Sequence, residues 1–281
     1  MLRLGKTDEI EKQFNEGYLR FSCPANWINY ARIDKSGIAD HYEGIFGHVK
    51  KDDPKLSSPE KSGLTKQDFD ALWKNEGPDN TVFVRYLFST LVPTLCFYSI
   101  PVDIIAKDFG IEGNSKLGFR TNLIPYYKAM GLNRDESSIL VIRFPWMLVG
   151  ELRRVIPKLI ETSHGFINDG FDASDPQVIR YVKYDLDINE LFLDYHPYLE
   201  LFRKRPEYKD QREARIIIPG ISFLFNPITS PEYYFANELN VPVPTIKDYA
   251  IVVHAKQCDT VELENFNEDL SHYDITFYNR K

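Results

Sequence analysis

A chain of 281 residues that is 43% hydrophobic and 14% aromatic can bury a sizeable core, which excludes an intrinsically disordered polymer. Its formal charge of -7 counts against binding nucleic acid through bulk charge, although a local basic groove stays open. Cys23, Cys96 and Cys258 are widely separated, which fits a reducing compartment and supplies no metal framework.

The opening MLRLGKTDEIEKQFNEG is charged almost from its start and does not read as a signal peptide. No apolar run approaches the roughly 18 residues of a membrane span, so the expectation is a cytoplasmic protein with no membrane partner. Residues 2–5 predict a short strand. Thr7 or Asp8 can cap a helix to about Glu16, with Gly17 as its stop. YLRFS (18–22) predicts a second strand ended by Pro24.

KKDDPKLSSPEKSG (50–63) lacks periodicity and predicts an exposed insertion loop within a single domain spanning 1–281. Thr65 and Asp68 resemble a capping box opening a helix to about Asn75. Residues 81–92 suit helix or strand, and 94–100 a buried strand. SSILVIRF (137–144) is a clear strand. Pro145 then opens a helix whose apolar stripe is Leu148, Leu152, Val155, Ile156, Leu159 and Ile160; Pro157 should kink or split it, and Gly165 end it. Further strands are predicted at 177–187, 211–218, 248–255 and 272–278. The expected class is α+β, with mixed, largely antiparallel sheets and flanking helices.

No phosphate-binding glycine loop, dinucleotide fingerprint or nucleophile elbow occurs. His41 and His48 with Asp40 and Glu43 could in principle hold a metal, but a charged surface turn suits that spacing better, and no metal is expected.

KDQREARIIIP (209–219) is the most informative stretch. On one strand, Gln211, Glu213 and Arg215 would share a face. They can be an ordinary strand-end ion pair. They can also be a sugar-gripping amide and carboxylate, the carboxylate supporting an oxocarbenium-like centre as a glycosidic bond breaks. Around them Arg203, Lys204, Arg205, Lys209, Arg212 and Arg215 face Glu207, Asp210 and Glu213, a local net of +3 suited to phosphates or simply to water. Between residues 19 and 44, Trp27, Tyr30 and Tyr42 can stack on a base or a nicotinamide ring, or Trp27 can fill the core.

The segments NEG, LRFSCPANW and ADHYEG, then Cys96-Phe97-Tyr98-Ser99, Val182-Lys183-Tyr184 and Gln211-Arg212-Glu213-Ala214-Arg215, resemble a widespread, poorly characterised bacterial family. The likeness is piecemeal and spans about residues 1–220. The acidic turn reads Ala39-Asp40-His41-Tyr42-Glu43 where the family has an N-D-P-F-E-like turn. The opening also resembles the ADP-ribosyltransferase fold, in which strands one and two line a nicotinamide pocket and a Q/E-x-E stretch supplies the catalytic glutamate. That resemblance implies an NAD-dependent transferase modifying a protein or nucleic acid, of the toxin or anti-phage type, with an antitoxin or chaperone partner expected. It implies Glu213 as the catalytic residue and Gln211 as the acceptor-positioning one. Arg3, Ser22, Arg20, Trp27 and Tyr42 would hold the NAD, and Arg203, Lys204, Arg205, Arg212 and Arg215 the acceptor or phosphate. The alternatives are a non-catalytic binding module using the basic 203–215 patch, and a metal-dependent nuclease or hydrolase using Asp40 and Glu43.

Overall fold

The computed structural model describes residues 1–33, 42–77, 79–98, 119–129, 131–162, 178–183, 198–219, 238–264 and 274–278. The fold is mixed α+β. The strands are β1 (Leu2–Lys6), β2 (Tyr18–Phe21), β3 (Gly47–Lys50), β4 (Leu72–Glu76), β5 (Thr81–Tyr86), β6 (Thr94–Tyr98), β7 (Phe119–Asn122), β8 (Ser137–Ile142), β9 (Val178–Tyr181), β10 (Glu213–Ile217), β11 (Leu239–Pro242), β12 (Ala250–His254), β13 (Thr260–Glu264) and β14 (Asp274–Tyr278). Three helices matter below: α1 (Thr7–Glu16), α2 (Pro24–Ile33) and α3 (Pro145–Thr162).

A six-stranded sheet, ordered β12-β8-β1-β6-β10-β9, forms the centre; ranked by position in the chain, its strands lie 6-3-1-2-5-4. Its ladders are antiparallel. Five registered pairs hold β1 to β8, from Leu2↔Val141 to Lys6↔Ser137, whereas one, Leu2↔Tyr98, holds it to β6. Smaller sheets are β11-β2, β14-β13-β7 and β3-β5-β4.

Strand alternation divides the central sheet into two faces. Leu95, Phe97, Leu140, Ile142 and Ile216 point to one, where Ile10 of α1, Leu19 and Phe21 of β2, and Leu148, Leu152 and Ile156 of α3 close the main core. Leu148, Leu152 and Ile156 of the expected stripe are therefore the buried ridge of α3, each contributing roughly 1.5–3 kcal/mol, with Val155 and Leu159 half-buried beside them; the side chain of Ile160 lies outside the described residues. On the other face Leu2, Tyr98, Ile139 and Val141 pack with Leu123, Tyr127, Ala255 and Cys258, and Ile217 packs with Val92, Tyr198, Leu201 and Phe202. Glu213 and Arg215 share this second face, because Glu213 stands opposite Tyr98, which stands opposite Leu2.

Several local expectations change. The first two strands do not pair: Gly17, at φ 69°, lets the chain turn at the end of α1, and β2 pairs with β11 over the core. Thr7 is a helical residue whose Oγ1 meets Ser138 Oγ at 3.0 Å, and the N-cap is Lys6. Thr65 Oγ1 does accept from Asp68 N at 3.1 Å, but that helix ends at Asp70 and residues 72–76 form β4. Residues 81–90 split between the two options, β5 and then a helical turn from Leu87 to Thr90. Helix α3 runs through Pro157 without being split. Within 50–63, Asp53 and Ser58 cap two short turns, Pro54–Leu56 and Pro59–Ser62. Gly165 lies outside the described residues.

Candidate functional site

The strand expected over 211–218 begins at Glu213. Pro206–Gln211 is a 3-10 helix, and Arg212, in the left-handed region at φ 39° and ψ 51°, swings the chain into β10. Gln211 therefore does not share the strand face of Glu213. The two are joined through Lys204 instead: its Nζ donates to Gln211 Oε1 at 2.7 Å and lies 2.7 Å from Glu213 Oε2.

Arg215, 0% exposed, is the hub. Its Nε donates to Glu213 Oε1 at 2.7 Å, and its Nη2 to Glu213 Oε2 at 3.2 Å and Glu43 Oε2 at 3.0 Å. Its Nη1 donates to Glu43 Oε1 and to the Leu201 carbonyl. Lys204 Nζ lies 3.8 Å from Glu43 Oε2. Two carboxylates and two cations thus balance in a buried quartet, as groups taken out of water must. Arg85, itself buried, steadies the Glu43 turn by donating from Nε to the Glu43 carbonyl at 2.9 Å.

Aromatic rings border the quartet. The Arg215 guanidinium lies 5.3 Å from the Trp27 ring centroid. Arg205 lies over Tyr42 at 4.2 Å and near Tyr208 at 5.2 Å, while Lys204 Nζ is 5.6 Å from Tyr208. Cys96 stands opposite Arg215 in the β6–β10 register, on the strand face that carries Glu213.

The charges reinforce one another. Burial pushes the Glu213 carboxyl up, but Arg215 and Lys204 outweigh it and hold the group well below the usual carboxylate range. Burial lowers Lys204 and Arg215, and the two glutamates more than reverse that, so both remain charged. Burial, aided by Glu213, pushes the Cys96 thiol well up, so it stays protonated. A permanently ionised carboxylate is a poor general base; it can stabilise a developing positive charge.

The structure brings together Trp27, Tyr42, Lys204, Arg205, Gln211, Glu213 and Arg215. It sets Arg3, Arg20 and Ser22 apart. Arg3 follows Leu2 and so points to the opposite face, where its Nη1 donates to the Arg20 carbonyl at 3.1 Å and burial lowers it to about 10. Arg20 reaches Glu238 at 3.4 Å. Ser22 bridges Thr94, at the far end of β6 from Tyr98, and its Oγ meets Asn26 Nδ2 at 3.0 Å. Arg203 bridges Lys183, and Arg212 is the left-handed turn residue. Asp40, His41, Ser99, Tyr184 and the side chain of Tyr30 lie outside the described residues. Among the described residues no group of three His, Cys, Asp or Glu suits a metal ion; Glu43 is committed to Arg215, and His48 Nε2 meets Thr81 Oγ1 at 2.7 Å.

Sequence reasoning missed Glu43 and Cys96 as parts of this site. Glu43 is 172 residues from Arg215, and only the tertiary fold joins them. No protein-family model matches the chain, and neither curated proteins nor solved structures yield a match.

Proposed function

We propose that the protein is an ADP-ribosyltransferase-like enzyme that uses NAD to modify a macromolecule, in the manner of a toxin or anti-phage effector. The observation that carries this reading is the location of Glu213. It opens β10 beside Tyr98, in line with the single registered pair through which β1 and β6 meet. In this reading β6, with Cys96-Phe97-Tyr98, takes the role of the second pocket strand, and β2 does not. Trp27 and Tyr42 offer ring faces to the nicotinamide or adenine, and Arg205 offers charge to the diphosphate.

The bond between ribose C1′ and the nicotinamide nitrogen breaks, its electron pair leaving with neutral nicotinamide. The acceptor's oxygen or nitrogen bonds to C1′ and gives up its proton to water. Glu213 supports the cationic ribose between these events. Gln211, tied to Lys204, sets the position of the ammonium that faces Glu213.

A second reading has its own support. Both Glu213 oxygens are already engaged by Arg215 and Lys204, which suits a structural clamp beneath a binding surface formed by the 203–215 segment. The two readings part in one experiment. Purified protein is incubated with NAD, alone and with RNA, DNA or cell protein, and released nicotinamide is measured. The transferase reading expects release that Glu213→Gln abolishes while far-UV circular dichroism is retained. No release with any acceptor, together with salt-sensitive, NAD-independent binding to one of them, favours the binding module.

A further inference from the structure

We propose that Glu200 is a proton-operated latch on the buried Arg215 cluster, closed while its carboxyl is neutral and released when it gives its proton to solvent. The inference concerns the geometry of the cluster and stands whether or not the chain uses NAD.

Glu200 lies in a single 3-10 turn, Leu199–Phe202. It is only 9% exposed, yet its Oε1 has no hydrogen-bond partner, and neither has the hydroxyl of Ser89, which is 0% exposed. A buried carboxylate needs a cation or several donors. Here the turn is set in apolar side chains instead, Leu201 and Phe202 packing with Val92, Tyr198 and Ile217. The charged groups on the segments that meet the turn are Glu43, Arg85, Lys183, Arg203, Lys204 and Arg215. Glu43, Lys204 and Arg215 serve one another, Arg85 holds the Glu43 carbonyl, and Lys183 and Arg203 meet through a β-bridge. None of the six acts on the Glu200 carboxyl. Burial raises it to about 7, and Ser89 and the residue's own backbone oppose that rise.

The turn is joined to the cluster by its next residue. The Leu201 carbonyl accepts from Arg215 Nη1. The Phe202 carbonyl and the Lys204 N–H pair with Lys183 at 2.8 Å each, and Lys204 Nζ is 2.7 Å from Glu213 Oε2. Tyr198, which opens the turn, is in the left-handed region at φ 66°, so contacts around it hold the turn in place and not its own backbone preference. An ionised Glu200 has to reach water, and outward movement of the turn supplies it. That movement withdraws the Leu201 carbonyl from Arg215 and draws Lys204 away from Glu213. Because the folded carboxyl is raised above its ordinary 4.5, the latch is fully closed below 4.5 and is lost as the pH rises through about 7.

The test is amide hydrogen exchange of the full chain without NAD, read by mass spectrometry at pH 5.5 and 8.5 and corrected for intrinsic base catalysis. Wild-type protection in the 198–204 segment should fall by about 30-fold between the two. Glu200→Gln keeps the neutral shape and should show no fall. A local opening is insensitive to low urea, so the series is repeated in it. Trp27, whose ring lies 5.3 Å from the Arg215 guanidinium, reports on the cluster. Its emission, read in a Trp73→Phe/Trp146→Phe background, should shift over the same pH range and stay constant once Glu200→Gln is added. Circular dichroism verifies that the variants fold. Equal wild-type protection at both pH values, a fall retained in Glu200→Gln, exchange that rises steeply with urea, or Trp27 emission indifferent to pH would each overturn the proposal.

Discussion

Glu43 and Arg215 face each other through both carboxylate oxygens and both terminal guanidinium nitrogens, although 172 residues separate them. The pair ties the turn before β3 to the central strand β10 in an environment without solvent. Removing Glu43 leaves two buried cations, Lys204 and Arg215, sharing the one carboxylate of Glu213. Glu43→Gln is therefore expected to cost about 3–5 kcal/mol. At roughly 2–4 °C per kcal/mol for a chain of this size, thermal melting should fall by about 6–20 °C. Replacing both, as Glu43→Leu with Arg215→Met, should recover a large part of that loss. A single variant melting within about 2 °C of wild type would show that the pair is not a clamp.

Acid and neutral pH should act on two different carboxyls. Glu213 is depressed below its ordinary 4.5 when folded, so its contribution is present above pH 4.5 and is lost as the pH falls below it. Glu200 behaves oppositely. Burial raises it from 4.5 to about 7, so its contribution is complete below 4.5 and lost as the pH rises through 7. That loss is about 3 kcal/mol across the window. Urea unfolding at pH 4.5 and 7.5 should show Glu200→Gln gaining on wild type by about that amount at the higher pH. An equal difference at both pH values would remove Glu200 from the account.

What could be read from the residues alone depended on range. Ser137–Ile142 and the ridge of α3 were legible because a β-branched run and a 3.6-residue period are local signals. Glu213 and Arg215 were recognisable as a chemical pair because parity within a strand is also local. The neighbours of β1 were not legible, since nothing in LRLGK or YLRFS says that β1 pairs with β6 and β8, or that β2 pairs with β11. Gln211 was misplaced because a single left-handed residue, Arg212, ends the alternation, and an arginine carries no sequence signal for that conformation. The task of Glu43 depended on a contact no window of sequence contains.

Arg3 provides a direct contrast between the strand-one expectation and the observed geometry. Its guanidinium is on the face away from Glu213 and bonds the Arg20 carbonyl. Arg3→Met keeps most of the apolar stem and removes that hydrogen bond, so it should destabilise the fold by about 1–3 kcal/mol. Its rate of nicotinamide release should stay within a few-fold of wild type under conditions where both are folded. A loss as complete as that of Glu213→Gln, with an unchanged melting temperature, would return Arg3 to the NAD site.

Cys96 supplies the last test, because its state follows from the same quartet. Burial and the adjacent Glu213 both favour the protonated thiol, and the thiolate is the reactive form. Cys23 and Cys258 are buried and pushed up, to about 11 and about 12, while Cys96 is half-buried. Native protein at pH 7.5 should therefore react very slowly with a thiol-specific disulfide reagent, and unfolding in guanidinium should release all three thiols quickly. Cys96→Ser keeps a polar group on the strand face of Glu213, whereas Cys96→Ala removes it. The serine variant should retain near-native stability and the alanine variant should lose about 1 kcal/mol or more. Rapid native labelling at Cys96, identified by mass spectrometry, would mean that its thiol is not held protonated beside Glu213.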